Sequence, residues 1–383
     1  MHRWTAGAIR TMASVQIKGT SMLIKTLDVE EYEDFAGHER VLRCTDDDTG
    51  LQAYIGIHNR NLGEALGGCR IWPYVSEDLA IKDVLRLSRG MTYKSAISNL
   101  PLGGGKAVIV GDSATIKTPA LLHAMGRFVN SLDGAYVTAE DSGTSVADLQ
   151  MMGSMTPYVA GVNGKLLSDG STVSGDPSPS TAYGVFVGIR AAVRFRFGTD
   201  NLAGVKVAVQ GVGNVGRQLV ELLHNAGAQV MIADLYSAAT EQLGQHQDVT
   251  VVDNATIHQA DVDVFAPCAL GGILTLESLD EIKAPLIAGA ANNQLADSAA
   301  GGKLFSMGKI YAPDYVINAG GIIDIYHERL GYVQADATRH IDGIFDTLLN
   351  IFGSAVDQGI PFHQMADQIA EQRFNSKRLS DVA

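Results

Sequence analysis

Apolar positions recur along the chain with two periods, and these periods delimit its elements. Residues 51–57 (LQAYIGI) read as a strand, followed by a glycine-rich turn at 66–70 (LGGCR). Over 77–98, Leu79, Val84, Leu85, Leu87 and Met91 fall at helical spacing with charges on the other face. A second glycine-rich stretch, 101–106 (PLGGGK), leads into a short apolar strand at 107–110. The amphipathic pattern of 118–132 predicts a helix with Pro119 in its first turn. Residues 161–179 (GVNGKLLSDGSTVSGDPSP) have the composition of a linker or exposed loop and mark a candidate domain boundary. Strands and helices then alternate: strand 205–210, helix 215–225, strand 229–233, and short apolar runs at 262–266, 286–288 and 316–317. That alternation predicts a parallel sheet covered by helices, an α/β fold. Beyond Asn318 the pattern is helical to the end, with Ile341, Ile344, Phe345 and Leu348 on one stripe.

Composition narrows the class. The 383 residues are 46% hydrophobic and 19% charged, ample for a buried core, and the net charge is −13. A nucleic-acid binder would tilt that balance the other way. Cys44, Cys69 and Cys268 are too few and too scattered for a disulfide framework or a CxxC zinc site. None of the ten histidines forms HExxH or a comparable ligand cluster, so no metal is expected. With no apolar run of about 18 residues, the expectation is a soluble, cytoplasmic protein. Residues 1–21 contain Arg3, Arg10 and Lys18 and no acid. They read as a targeting presequence or, preferably, as an extension upstream of a start at Met22, and they stay outside the fold prediction.

Residues 211–216 (GVGNVG) fit G-x-G-x-x-G. A strand runs into them and a helix opens after them, and the next strand ends at Asp234. Gly211 would make the tight turn, Gly213 would admit a pyrophosphate, and Gly216 would let helix pack on strand. Asn214 and Val215 open the helix whose free N–H groups favour phosphate. Asp234 would accept from the adenine-ribose hydroxyls and repel a 2′-phosphate, so NAD is preferred over NADP. The other reading is a glycine-tightened βαβ unit without nucleotide. Lys94 (in MTYK) and Lys106 (in GGGK) sit in apolar, glycine-rich surroundings. Ala107 excludes a phosphate loop, which needs Ser or Thr there. Burial and a neighbouring ammonium would make such a lysine a usable base; a solvated surface lysine is the alternative. Asp141, in TAEDSGT, is a candidate acid or a turn and helix-cap residue.

The motifs LGGCR (66–70), RLSRGMTYKSA (86–96), LGGGKAVI (102–109), TAEDSGT (138–144), PSTAYGV (179–185), QGVGNVG (210–216), FAPCALG (265–271), IAGAANNQL (287–295) and YAPDYVINAGG (311–321) occur in order. Through them the chain, from about 22 to 374, resembles the glutamate/leucine/phenylalanine/valine amino-acid dehydrogenases, most closely their leucine-type members. The resemblance implies a substrate and oligomerisation domain at 22–175 and a Rossmann domain at 176–330, separated by a cleft. It also implies that helices of 331–383 pack back on the first domain. The implied reaction is NAD-dependent, reversible oxidative deamination of an L-amino acid to a 2-oxo acid and ammonia. Lys94 would bind the substrate carboxylate, completed by Asn318 and the backbone of Gly67 and Gly68. Lys106 would be the low-pKa base that activates water, and Asp141 the proton shuttle. Thr181 and one of Asn292 or Asn293 would hold the carboxamide.

Glutamate-specific members have a lysine where this chain has Leu66, so a buried substrate carboxylate would lack its partner. Leu66, Ala139, Ile341 and Ile344 make an apolar pocket suited to leucine, valine or isoleucine. The two isoleucines equally suit core packing on their helix. Phenylalanine or valine dehydrogenases are the rivals within the family, and a non-catalytic NAD sensor is the rival outside it. Cys69 stands where Ala or Thr is usual and reads as a small packed residue, with oxidation sensitivity as the alternative. The chain ends soon after Phe374, without the extension that some leucine-type members use between subunits. A homo-oligomer, dimer or octamer, is the expected assembly.

Overall fold

The computed structural model describes residues 11–380, with side chains to 376. It has two compact units, one reaching to Lys165 and including the segment from Arg373, the other spanning Leu166–Gln372.

The first unit is built on a seven-stranded sheet of β1 (Thr11–Gln16), β2 (Leu23–Leu27), β3 (Arg40–Asp46), β4 (Leu51–Asn59), β5 (Ala65–Trp72), β6 (Gly103–Val110) and β7 (Tyr136–Glu140), in the order β1-β2-β3-β4-β6-β5-β7. The pairs β1–β2, β2–β3, β3–β4 and β4–β6 are antiparallel, whereas β5 lies parallel to both β6 and β7. Part of the stretch set aside as a leader therefore joins the sheet: β1 pairs with β2 through a turn at 17–22, and Met22 is in the core. Residues 1–10 lie outside the described residues.

Helix α1 (Glu77–Ile97) is capped by Ser76, whose hydroxyl accepts from the Leu79 N–H. It buries Ala80, Ile81, Val84 and Leu85 against Tyr54 and Val108. Of the predicted stripe, Val84 and Leu85 are buried but Leu79 is exposed, and Ser88, Thr92 and Ala96 also face inward. Small residues win there because the sheet beneath is glycine-rich and the backbones approach closely. Helices Pro119–Asn130 and Val146–Gly153 contribute to a separate core that includes Ile55, Ile109 and Phe128.

A ribbon of β8 (Lys165–Leu166) and β9 (Thr172–Val173) lies within the predicted linker. The second unit's sheet comprises β10 (Lys206–Gln210), β11 (Gln229–Ala233), β12 (Val249–Val251), β13 (Val264–Pro267), β14 (Leu286–Ile287) and β15 (Ile310–Tyr311). All pairs are parallel, in the order β12-β11-β10-β13-β14-β15. This is the doubly wound order, with its switch point between β10 and β13. The run at 316–317 is not a strand; it closes a helical turn, Asp314–Ile317, after Pro313, and the strand is β15 upstream.

The sequence expectation places the helices of 331–383 on the first domain; helix Gln334–Gln358 instead groups with the second unit, packed against helix Ser178–Phe197. The reason is a pair of glycines. A Cβ on Gly184 would lie 3.0 Å from Ile344 Cδ1, and one on Gly188 would lie 3.0 Å from Leu348 Cδ1. Only the segment from Arg373 groups with the first unit, where Arg373 donates to the carbonyls of Ala96 and Ile97 at the end of α1.

Candidate active site

Six predicted residues of the first unit come together where β5, β6 and β7 run side by side. Leu66 lies between Gly104 of β6 and Val137 of β7, and Gly68 is opposite Ala139. Leu66 and Ala139 are both buried. The register that pairs Cys69 with Ala107 sets Lys106 level with Gly68. Asp141 follows β7 directly, and a Cβ on Gly68 would come within 2.6 Å of the Asp141 Cβ. Glycine is what lets the acid reach across. Lys106 is 6% exposed and ion-paired with Asp141. Asp141 is no helix cap: that part is played by Ser145, which forms a capping box with Asp148.

Burial alone would raise the Asp141 pKa, but the charges of Lys106 and Arg70 outweigh it and hold the carboxyl below its usual range. The sequence shows Arg70 only as part of the LGGCR motif. Its Nε is 3.4 Å from Asp141 and its Nη1 is 3.0 Å from Asp83. A second unforeseen residue is Tyr136, fully buried, whose hydroxyl donates to the Gly67 carbonyl at 2.6 Å. Its ring fills the space above Gly105, where a Cβ would meet it at 2.6 Å. Only the glycine run in the sequence hinted at such a bulky neighbour. Cys69 is buried and its thiol pushed up to about 12, chiefly by burial, which supports the packed reading over oxidation sensitivity.

Lys94 lies, half-buried, in the last turn of α1. Gly104 of β6 sets the height of that helix: a Cβ there would meet the Thr92 backbone N at 2.1 Å.

The second unit holds the remaining candidates. Gly211 adopts φ +96°, a left-handed conformation suited to glycine, and a Cβ on Gly216 would strike the Gly211 carbonyl at 2.0 Å. Gly213 is exposed with open space at its Cβ position. It precedes helix Asn214–Asn225, whose N-terminus has no side-chain cap. Val215 lies in the first turn of that helix. A cradle open at the middle glycine, below uncapped N–H groups, fits a dinucleotide pyrophosphate. Asp234, at the end of β11, accepts from the Val212 and Tyr236 N–H groups at 2.8 and 3.0 Å, which ties the glycine loop to the neighbouring strand.

Thr181 lies in the first turns of helix Ser178–Phe197, close against Gly320 and Gly321. Cβ atoms on those glycines would meet the Ser180 carbonyl at 1.9 Å and Thr181 Oγ1 at 2.6 Å. Asn318 is buried just before them and donates to the Ala290 carbonyl and to Asn292 Oδ1. Asn292 and Asn293 are exposed, and Asn293 takes the left-handed conformation, φ +51°. Ile341 and Ile344 are buried on helix Gln334–Gln358, with Ile344 against Gly184, as core packing requires. Among the described residues no group of three or more His, Cys, Asp or Glu is placed to hold a metal ion, and no helix is long and apolar enough to cross a membrane.

Comparison with known proteins decides the family. The model of the Glu/Leu/Phe/Val dehydrogenase dimerisation domain matches residues 38–158. The model of the Glutamate/Leucine/Phenylalanine/Valine dehydrogenase domain matches 174–235 and 232–342. The chain belongs to this dehydrogenase family. It is 44% identical to leucine dehydrogenase of Thermoactinomyces intermedius over 92% of this chain and 95% of that one. It is 45% identical to L-tryptophan dehydrogenase of Nostoc punctiforme over 90% and 95%. The crystal structure of the Nostoc enzyme superposes with a TM-score of 0.78 at 43% identity, covering 89% of this chain and 97% of that one. Phenylalanine dehydrogenase of Thermoactinomyces intermedius is 42% identical over 93% and 96%. The protein is thus an amino-acid dehydrogenase with a Rossmann-type domain, in a family whose members differ in substrate.

Proposed function

We propose that this dehydrogenase catalyses the reversible, NAD-dependent oxidative deamination of a branched aliphatic L-amino acid, leucine foremost with valine and isoleucine. The observation that carries this reading is the ion pair of buried Lys106 with Asp141, set beside Gly68 and flanked on β5 and β7 by the apolar Leu66 and Ala139. NAD, when bound, accepts the hydride from Cα. Lys94 supplies the positive charge for the substrate carboxylate, with Asn318 and the Gly67–Gly68 backbone as further partners. Lys106 takes the proton from the water that attacks Cα, and Asp141 carries protons to and from the departing nitrogen. Asp234 selects NAD over its 2′-phosphorylated form by charge, while Gly211, Gly213, Asn214, Val215 and Gly216 receive the pyrophosphate. Thr181 with Asn292 or Asn293 holds the carboxamide.

Leu66 and Ala139 carry no charge to pair a side-chain carboxylate, which disfavours glutamate. The comparable identity to the tryptophan and phenylalanine enzymes supports a second reading, an aromatic substrate in the same pocket. The enzyme is further proposed to work in the cytoplasm as a homo-oligomer, dimer or octamer, in keeping with the dimerisation-domain match. Steady-state kcat/KM for leucine, valine, isoleucine, phenylalanine and tryptophan with NAD tests the substrate. Leucine or another branched aliphatic amino acid should lead, and a tenfold preference for an aromatic one overturns the choice. Lys106→Ala should lose turnover by at least a hundredfold, within the range of an acid–base contribution, while NADH still binds. Unchanged turnover would remove Lys106 from its assigned role.

A further inference from the structure

The loop at 288–294 is held by two side-chain amides whose donors are directed at it. Gln294, fully buried, donates from Nε2 to the carbonyls of Gly289 at 2.8 Å and Ala291 at 3.0 Å. Asn318 donates from Nδ2 to the Ala290 carbonyl at 3.1 Å and to Asn292 Oδ1 at 2.8 Å. Carbonyls 289, 290 and 291 are thus each engaged. From the other side the Gly272 N–H donates to the Asn293 carbonyl. At the tip, Asn292 and Asn293 are exposed, and Asn293 is held in a left-handed conformation, φ +51°.

The Gln294 amide oxygen is buried and has no hydrogen-bond partner. A buried orphan acceptor is unfavourable, so what this side chain contributes is its two donors. Methionine would fill the same space without either, and glutamate would set carboxylate oxygens against two carbonyls.

We propose that Gln294 is a positioning residue for the dinucleotide: its amide fixes the turn that presents Asn292 and Asn293 to the nicotinamide carboxamide. This rests on the assignment of those asparagines made above. ADP-ribose, which has the pyrophosphate and adenosine but lacks nicotinamide, separates positioning from general damage. The experiment measures dissociation constants for NADH and ADP-ribose in the wild type, Gln294→Met and Gln294→Glu, alongside thermal midpoints. Both variants should bind NADH at least tenfold more weakly while ADP-ribose affinity stays within twofold. In Gln294→Glu the NADH loss should ease as the pH falls, because a neutral carboxyl recovers one donor. NADH affinity within twofold of wild type, or equal weakening of both ligands, overturns the proposal. The second variant keeps the comparison open if the first does not fold. Failure of the wild type to bind either ligand refutes the dinucleotide reading itself, and this inference with it.

Discussion

Within the 211–216 motif each glycine is required for its own reason, and the surroundings distinguish them. Gly211 combines a positive φ with a Cβ position 2.7 Å from Ala269 Cβ, and Gly216 faces backbone oxygen. Substitution at either would distort the loop. Gly213 has an ordinary φ of −67° and open space. Gly213→Asp is therefore expected to leave the thermal midpoint within a few degrees. It should weaken NADH and ADP-ribose binding at least tenfold, because a carboxylate would occupy and repel the phosphate seat; paired calorimetric and binding measurements check it. The motif was legible in the sequence because its spacing is local. Arg70 and Tyr136 were not, because they lie 71 and 69 residues from Asp141 and Gly67, their respective partners, and only strand pairing unites them.

At the level of elements, α1 is fastened to the sheet by small residues below and by histidines at its side. His58 is buried; its Nε2 meets the Ala36 carbonyl at 3.1 Å and its Nδ1 meets Thr92 Oγ1 at 2.8 Å. A carbonyl only accepts, so Nε2 carries the proton and the threonine hydroxyl donates to Nδ1. His38 stands edge-on at 4.8 Å and contacts the Leu85 carbonyl of the same helix. Burial, with the neighbouring His38 second, lowers the His58 pKa to about 4. An unfolded histidine titrates near 6.5, so between those values the unfolded chain binds the extra proton. Stability from this site is complete above about pH 6.5, declines as the pH falls, and is gone below about 4, a loss on the order of 3 kcal/mol. Urea unfolding midpoints should drop over that window, and His58→Gln should flatten the drop; an unchanged slope would exclude His58 as its source. Helical spacing reveals α1 and the inward Val84 and Leu85 but misses part of the buried face, since apolar periodicity cannot register Ser88 and Thr92 as inward residues.

Across the whole molecule, the two units part within the Gly-, Ser- and Asp-rich stretch around 165–166, and residues 169–174 are exposed. Brief digestion with a nonspecific protease should cut first there, giving fragments of about 170 and 210 residues. A first cut inside either sheet, read by mass spectrometry, would contradict that division. What the sequence determined alone is what short-range spacing encodes: strand and helix periods, the dinucleotide glycines, the two lysines and the apolar character of Leu66 and Ala139. What only tertiary structure decided is contact between segments distant in the chain. Asp141 reaches Lys106 because β5 inserts between β6 and β7, and Gly68 leaves the gap it crosses. Helix Gln334–Gln358 joins the second unit because Gly184 and Gly188 open a face for it. A side chain's period records its local turn or strand, whereas its partner depends on which backbones can approach, and that is settled by the packed chain as a whole.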